Sequence, residues 1–161
     1  MAARTGEGRA ALVEAGYELI AELGYSGATT AKICQRAGVS SGTFFHFFPT
    51  KMDLLLGILE ADASHSRLRA DALNARASID PAGALSTWLD TLFAEASDPH
   101  LAGFVAGLSA APAHAPLEEC LSEIAALQHT TLVSIVAAGQ VRGIWRDDLA
   151  ADRLALWIGV L

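Results

Sequence analysis

Between Ala28 and Lys51 the chain reads ATTAKICQRAGVSSGTFFHFFPTK, a stretch whose punctuation leaves room for little besides two short helices joined by a tight turn. Thr29 or Thr30 offers a side-chain oxygen to cap the first helix, and Ile33 and Ala37 mark its inward stripe. Gly38 supplies the left-handed residue that ends it. Ser40 caps a second helix that runs through Thr43 to about Phe47, and Pro49 follows where that helix must stop. Thr50 and Lys51 then open another segment. A helix-turn-helix over about residues 29–48 follows, with a second helix too short to be a core element and suited to being presented.

In such a module, residues near the start of the second helix reach base edges, while hydroxyls and cations on either side grip phosphates. Ser41 and Thr43 are therefore expected to face the major groove or its phosphates. His46 is expected to contact a base or a phosphate, Lys51 a phosphate, and Thr30 the flanking backbone. Phe45 offers apolar contact to sugar or a thymine methyl. Phe44 and Phe48 are expected to pack beneath the second helix rather than touch DNA.

The run AGVSSGTFFHFFPTKMDLLLGIL resembles the recognition region of the TetR family of one-component transcriptional regulators. The likeness extends upstream through Leu12, Ala15, Leu19, Ile20, Leu23, Gly24 and Tyr25, and covers roughly residues 8–60. It implies an all-α protein: an N-terminal three-helix head for double-stranded operator DNA and a C-terminal helical bundle for effector binding and homodimerisation. Two positions depart from the family pattern. Phe45 stands where a Tyr commonly contacts phosphate, and Ser41 where Lys or Arg is frequent, so a shallower salt dependence than that of a Lys-rich relative is expected.

Charge partition agrees with a confined DNA contact. The net charge is −7, which argues against indiscriminate nucleic-acid binding. Residues 1–53 hold five cations (Arg4, Arg9, Lys32, Arg36 and Lys51) and five acids, whereas residues 54–161 hold six cations and thirteen acids. The deficit lies wholly in the second part. Glu7, Glu14, Glu18 and Glu22 fall on the first helix, so the span from Lys32 to Lys51 is expected to present a locally positive face. Arg4 and Arg9 are placed to reach a phosphate or the minor groove.

Strand signals are almost absent, Ala and Leu dominate, and 52% apolar content over 161 residues is ample for a small head and a larger bundle. The expected division is a head over 1–53 and an effector-binding and dimerisation bundle over 54–161. Thr50 with Asp53 reads as a capping box opening a connecting helix, through Leu54, Leu55, Ile58 and Leu59. Asp80-Pro81, Asp98-Pro99 and Pro116 mark further helix starts, the last running to about Gln140, and Asp148 is expected to begin a final helix through Val160. Two uncharged runs, 99–117 and 124–141, are interrupted by Pro112, His114 and Pro116 or by Gln128, His129 and Thr130, so no membrane span is expected. The opening MAARTGEGRAALVEAG lacks a continuous apolar core, so no signal peptide is expected, and Cys34 and Cys120 read as buried thiols of a cytoplasmic protein. The apolar end Trp157-Ile-Gly-Val-Leu161 lacks a cap and reads as clipped.

By resemblance to the family, the helices carrying Trp88, Leu92, Phe93, Phe104, Leu108, Leu121, Ile124 and Leu127 would surround an effector cavity. Gln128, His129 and Thr131 are polar groups inside an apolar helix and must find partners, which suits them to orienting a ligand. His100, His114, Cys120 and His129 have no recognised metal-ligand spacing, so neither metal nor cofactor is expected. No nucleophile elbow, His-Glu-x-x-His pattern, P-loop or dinucleotide fingerprint occurs, and no enzyme is expected. The sequence thus points to a transcriptional regulator, a repressor released from a palindromic operator by a small apolar effector. The alternative is a small-molecule binding or interaction protein that keeps the head as a structural domain.

Overall fold

The computed structural model describes residues 2–159, with side chains from Gly6 onward. The side chain of Arg4 and the terminal Val160 and Leu161 lie outside that range. The described residues form eight helices: α1 (Ala2–Gly27), α2 (Thr30–Ala37), α3 (Ser41–Phe47), α4 (Lys51–Ala77), α5 (Pro81–Ala96), α6 (Pro99–Leu108), α7 (Ala115–Val141) and α8 (Ala151–Gly159). The fold is all-α, as the composition requires.

Caps explain where the head helices start and stop. Thr29 Oγ1 accepts the Lys32 amide at 3.4 Å, Ser40 Oγ accepts the Thr43 amide at 3.1 Å, and Gly38 closes α2 at φ 66°. Only a residue without Cβ adopts that conformation cheaply. The capping box is complete: the Thr50 amide donates to Asp53 Oδ2 at 2.8 Å and the Asp53 amide to Thr50 Oγ1 at 3.1 Å. Thr50→Ala is accordingly expected to lower the unfolding free energy by about 0.5–2 kcal/mol in urea denaturation. An unchanged midpoint would show that the box contributes nothing.

Contacts divide the chain into two units. The first comprises residues 1–61 and 96–120, the second 62–95 and 121–161. This grouping departs from chain order, since α6 packs on α1 within the first unit. The approach is close because α6 carries Gly103 and Gly107 one turn apart: a Cβ at either would meet the Ala21 or Ile20 carbonyl oxygen at 2.5 or 2.8 Å. Leu12, Ile20, Ile33, Phe44, Leu54 and Leu55 are fully buried in this unit. α1 is interrupted at Gly24 (φ 71°, ψ 167°), which lets the Leu-Gly-Tyr segment turn before Ala28.

In the second unit, Ile135 packs with Ala77 and Ala84, and Leu132 and Val136 pack with Ala155 of α8. Trp88 touches both groups. Trp145 donates its indole N–H to the Val136 carbonyl at 2.8 Å, and the Gln140 amide donates to the Arg146 and Leu149 carbonyls at 2.9 and 2.8 Å. These bonds fix the connection between α7 and α8. They also correct the expected start of α8 at Asp148: that carboxylate is engaged by the Arg146 guanidinium, and helical bonding begins only with Ala150 accepting from Arg153 and Leu154. α7 is long and apolar enough to cross a membrane by length and composition. Its apolarity has an internal use, because Leu132, Ile135 and Val136 are buried against α4, α5 and α8 residues.

Candidate DNA-reading head and ligand cavity

α3 is held from below by aromatic rings. Phe44 is fully buried and meets Phe45 edge-on at 5.2 Å and Phe48 at 6.2 Å between centroids. With Phe44 and Phe48 anchored inward, the other face of α3 presents Ser41, Phe45 and His46 to solvent; Phe45 is 54% exposed. Thr43 is half-buried and its hydroxyl lies 2.9 Å from Ser40 Oγ, so it completes the turn while standing beside the exposed set. Thr30 is half-buried in the first turn of α2.

Every described cation of the head has an intramolecular partner. The Arg36 guanidinium donates to Glu18 Oε2 at 2.8 Å and to Glu22 at 3.0 and 3.1 Å, bracing α2 on α1. This bonding to Glu22 and Glu18 raises the Arg36 pKa, and the same Arg36 contact lowers that of Glu22. Lys51 Nζ donates to the Tyr25 carbonyl at 2.6 Å, lies 4.0 Å from the Tyr25 ring centroid, and has its pKa lowered by burial. Lys32 Nζ donates to the Gly27 carbonyl at 3.2 Å, and Arg9 sits over the Phe48 ring at 5.3 Å. The positive face expected from the acid-free span of sequence is therefore corrected. Glu18 and Glu22 are far from Arg36 in the chain but against it in the fold, leaving Arg9, Lys32 and Lys51 as the cations with uncharged partners.

The second unit contains a cavity of about 300 Å³ walled by α4, α5 and α7. Trp88, Leu92, Gln128 and Thr131 line it, together with Leu73 and Leu127. Phe104, Leu108, Leu121 and Ile124, expected in the same wall, do not. Phe104 is buried in the first unit, where its ring meets that of Tyr17 at a tilt of 43° with centroids 4.9 Å apart, and Leu108 is on the same helix. Leu121 is exposed and Ile124 half-buried, outside the lining set. The partner that Thr131 requires is local, since its hydroxyl donates to the Leu127 carbonyl at 2.8 Å.

Sequence reasoning missed the polar lining: Ser66, Arg69 and Arg76 of α4, and Thr87, Thr91 and Glu95 of α5. Their spacing was the available signal. Residues 66, 69, 73 and 76 form one helical stripe, as do 87, 91 and 95. Among the described residues no group of three His, Cys, Asp or Glu side chains is placed to hold a metal ion.

The first unit presents α3, and the second is all-helical with a cavity of its own. Residues 12–58 match the model of the bacterial regulatory proteins of the tetR family. Over those residues the chain is similar to the TetR family of transcriptional regulators. Over 49 residues it is 37% identical to the fatty acid metabolism regulator protein of Bacillus subtilis (strain 168), covering 30% of this chain and 25% of that one. The match thus spans about a quarter of the curated relative's length. The TetR transcription regulatory protein of Mycobacterium vanbaalenii is 28% identical, with a TM-score of 0.69 over 94% of this chain and 87% of that one. The TetR transcription regulator of Haloarcula marismortui superposes with a TM-score of 0.82 at 20% identity, over 96% and 81%. The Bacillus subtilis regulator FadR in complex with stearoyl-CoA gives 0.73 at 21%, over 92% and 79%.

Proposed function

We propose that this protein is a cytoplasmic, homodimeric repressor that binds a palindromic operator and is released by a small molecule seated in the α4–α5–α7 cavity. The single observation that supports this most is the outward set Ser41, Phe45 and His46 on a helix anchored by Phe44 and Phe48. DNA contact falls to Ser41, Thr43, Phe45 and His46 on α3, with Thr30 and Lys51 flanking. The division of labour is a DNA-reading head over 1–53 and an effector and dimer region over 54–161. The exposed Leu156 and Trp157 of α8 favour pairing with a second copy through the last helices.

Release follows from the continuity of α4. Its first turns carry the buried Leu54, Leu55 and Ile58, while Ser66, Arg69, Leu73 and Arg76, further along the same helix, line the cavity. Two recognition helices enter successive major grooves only when they are about 34 Å apart. A ligand that shifts α4 alters that spacing, provided it binds the DNA-incompetent state more tightly than the competent one.

The test is titration of a labelled palindrome from the DNA flanking the protein's own gene, over a range of salt. His46→Ala is expected to weaken binding by about 1–3 kcal/mol, the range of a base contact. With Arg9, Lys32 and Lys51 as the described head cations lacking acidic partners, these three should contribute a slope of about −5 to log K against log salt for the dimer. Binding unaffected by His46→Ala and Lys51→Ala together would refute the assignment of α3. No salt-dependent DNA binding at all would favour the alternative, a ligand-binding protein whose head is structural. The engagement of every described head cation is the observation that keeps that alternative in view.

A further inference from the structure

The polar groups of the cavity are not scattered. Arg69 and Arg76 stand on one stripe of α4, two turns apart, and both line the chamber while about half exposed, at 48% and 50%. Long arginine stems cover apolar wall in this way while their guanidinium groups stay at the rim. Each guanidinium is aimed by a hydroxyl. Arg69 Nη2 donates to Ser66 Oγ at 2.9 Å, and Ser66 is buried; Arg76 Nη1 donates to Thr87 Oγ1 at 3.0 Å, whose own proton goes to the Gly83 carbonyl at 2.9 Å. A hydroxyl partner orients a guanidinium without neutralising it.

The acidic neighbours are weaker. Arg69 reaches Glu95 Oε1 at 3.5 Å, and Arg76 reaches Asp80 Oδ2 at 3.7 Å, each through a single nitrogen. Exposed, non-bidentate pairs of this kind contribute at most about 1 kcal/mol, and a carboxylate able to take a fork of two N–H donors competes with them. Asp80 does not line the cavity, so the lining itself carries two cations against one acid, Glu95. Behind the rim the wall turns apolar at Ala70, Leu73, Trp88, Leu92 and Leu127.

We propose that the effector is a small amphipathic carboxylate, its apolar body against Leu73, Trp88 and Leu127 and its anionic group at the rim between Arg69 and Arg76. This rests on reading the cavity as the effector site. Size narrows the class: a cavity of about 300 Å³ lies at the small end of ligand pockets. A medium-chain fatty acid and an arylalkanoic acid are both of that scale.

Calorimetric titration of the full chain with octanoate, 3-phenylpropanoate, octan-1-ol and octanoyl-coenzyme A tests this in the absence of DNA. At least one acid should bind ten-fold or more tightly than the alcohol, and which acid binds better separates linear from aromatic effectors. Arg69→Gln with Arg76→Gln should weaken the acid at least ten-fold while changing octanol, which loses only the contact of the shortened stems, by no more than about two- to three-fold, octanol binding itself reporting that the cavity is intact. If that variant fails to fold, Arg69→Lys with Arg76→Lys takes its place: charge is kept but the fork is lost, and a several-fold weakening of the acid alone is expected. The proposal is overturned if neither acid binds at millimolar concentration, if alcohol and acid bind equally, if acid affinity ignores the substitutions, or if the coenzyme A thioester binds more tightly than both acids. Operator binding is measured separately, so loss of the DNA reading and loss of the carboxylate reading are distinguishable.

Discussion

Phe44→Ala should lower the unfolding free energy by about 3–5 kcal/mol, the range for truncating a fully buried aromatic ring. Phe44 is 0% exposed and is the ring on which both Phe45 and Phe48 lean. Its loss opens a cavity under α3, and a seven-residue helix has no independent stability with which to compensate. Urea denaturation followed by circular dichroism measures the effect, and a change below about 1 kcal/mol would show that α3 is supported otherwise. The neighbouring ring supplies the contrast. Phe45 is 54% exposed, so Phe45→Ala should shift stability by no more than about 0.5 kcal/mol while weakening operator binding. Two adjacent phenylalanines would then divide cleanly into one that builds the head and one that reads with it.

Gly103→Val should be destabilising by about 1–3 kcal/mol, and the sign is the informative part. In a helix interior, replacing Gly removes backbone freedom from the unfolded chain and by propensity alone favours folding by up to about 1 kcal/mol. Here the added Cβ would sit 2.5 Å from the Ala21 carbonyl oxygen, a backbone atom that cannot rotate away. Overpacking therefore outweighs propensity, and α6 is pushed from α1. Gly42→Ala is the control within α3: its Cβ would meet nothing nearer than Ser40 Oγ at 3.7 Å, so a gain of about 0.4–1 kcal/mol is expected. Thermal unfolding of both variants decides it. A stabilised Gly103→Val would mean that α1 and α6 are not in backbone contact.

The head was legible in the sequence because its determinants are local. Thr29, Gly38, Ser40 and the Thr50–Asp53 box each act over a few residues, and each makes the cap its position requires. The inward choice of Phe44 and Phe48 over Phe45 follows from helical spacing in the same way. Legibility declined with distance along the chain. Arg36 reads as a cation available to DNA until Glu18 and Glu22 are placed against it, and the uncharged partner that holds Lys51, the Tyr25 carbonyl at 2.6 Å, is equally invisible along the chain. At the cavity, apolarity was a poor guide, since Phe104 and Leu108 are as apolar as Trp88 and Leu92 yet lie on a helix packed elsewhere.

The sequence by itself determined the all-α class, the helix-turn-helix and its caps, and the identity of the presented residues Ser41, Phe45 and His46. Hydrogen-bond caps, left-handed glycines and 3.6-residue periodicity all operate within one or two helical turns. Only the tertiary structure decided which head cations remain without acidic partners, that α6 joins the first unit through Gly103 and Gly107, and that Arg69 and Arg76 line the chamber. Each of these depends on which helix faces which, and that is set by the packing of surfaces distant in the chain.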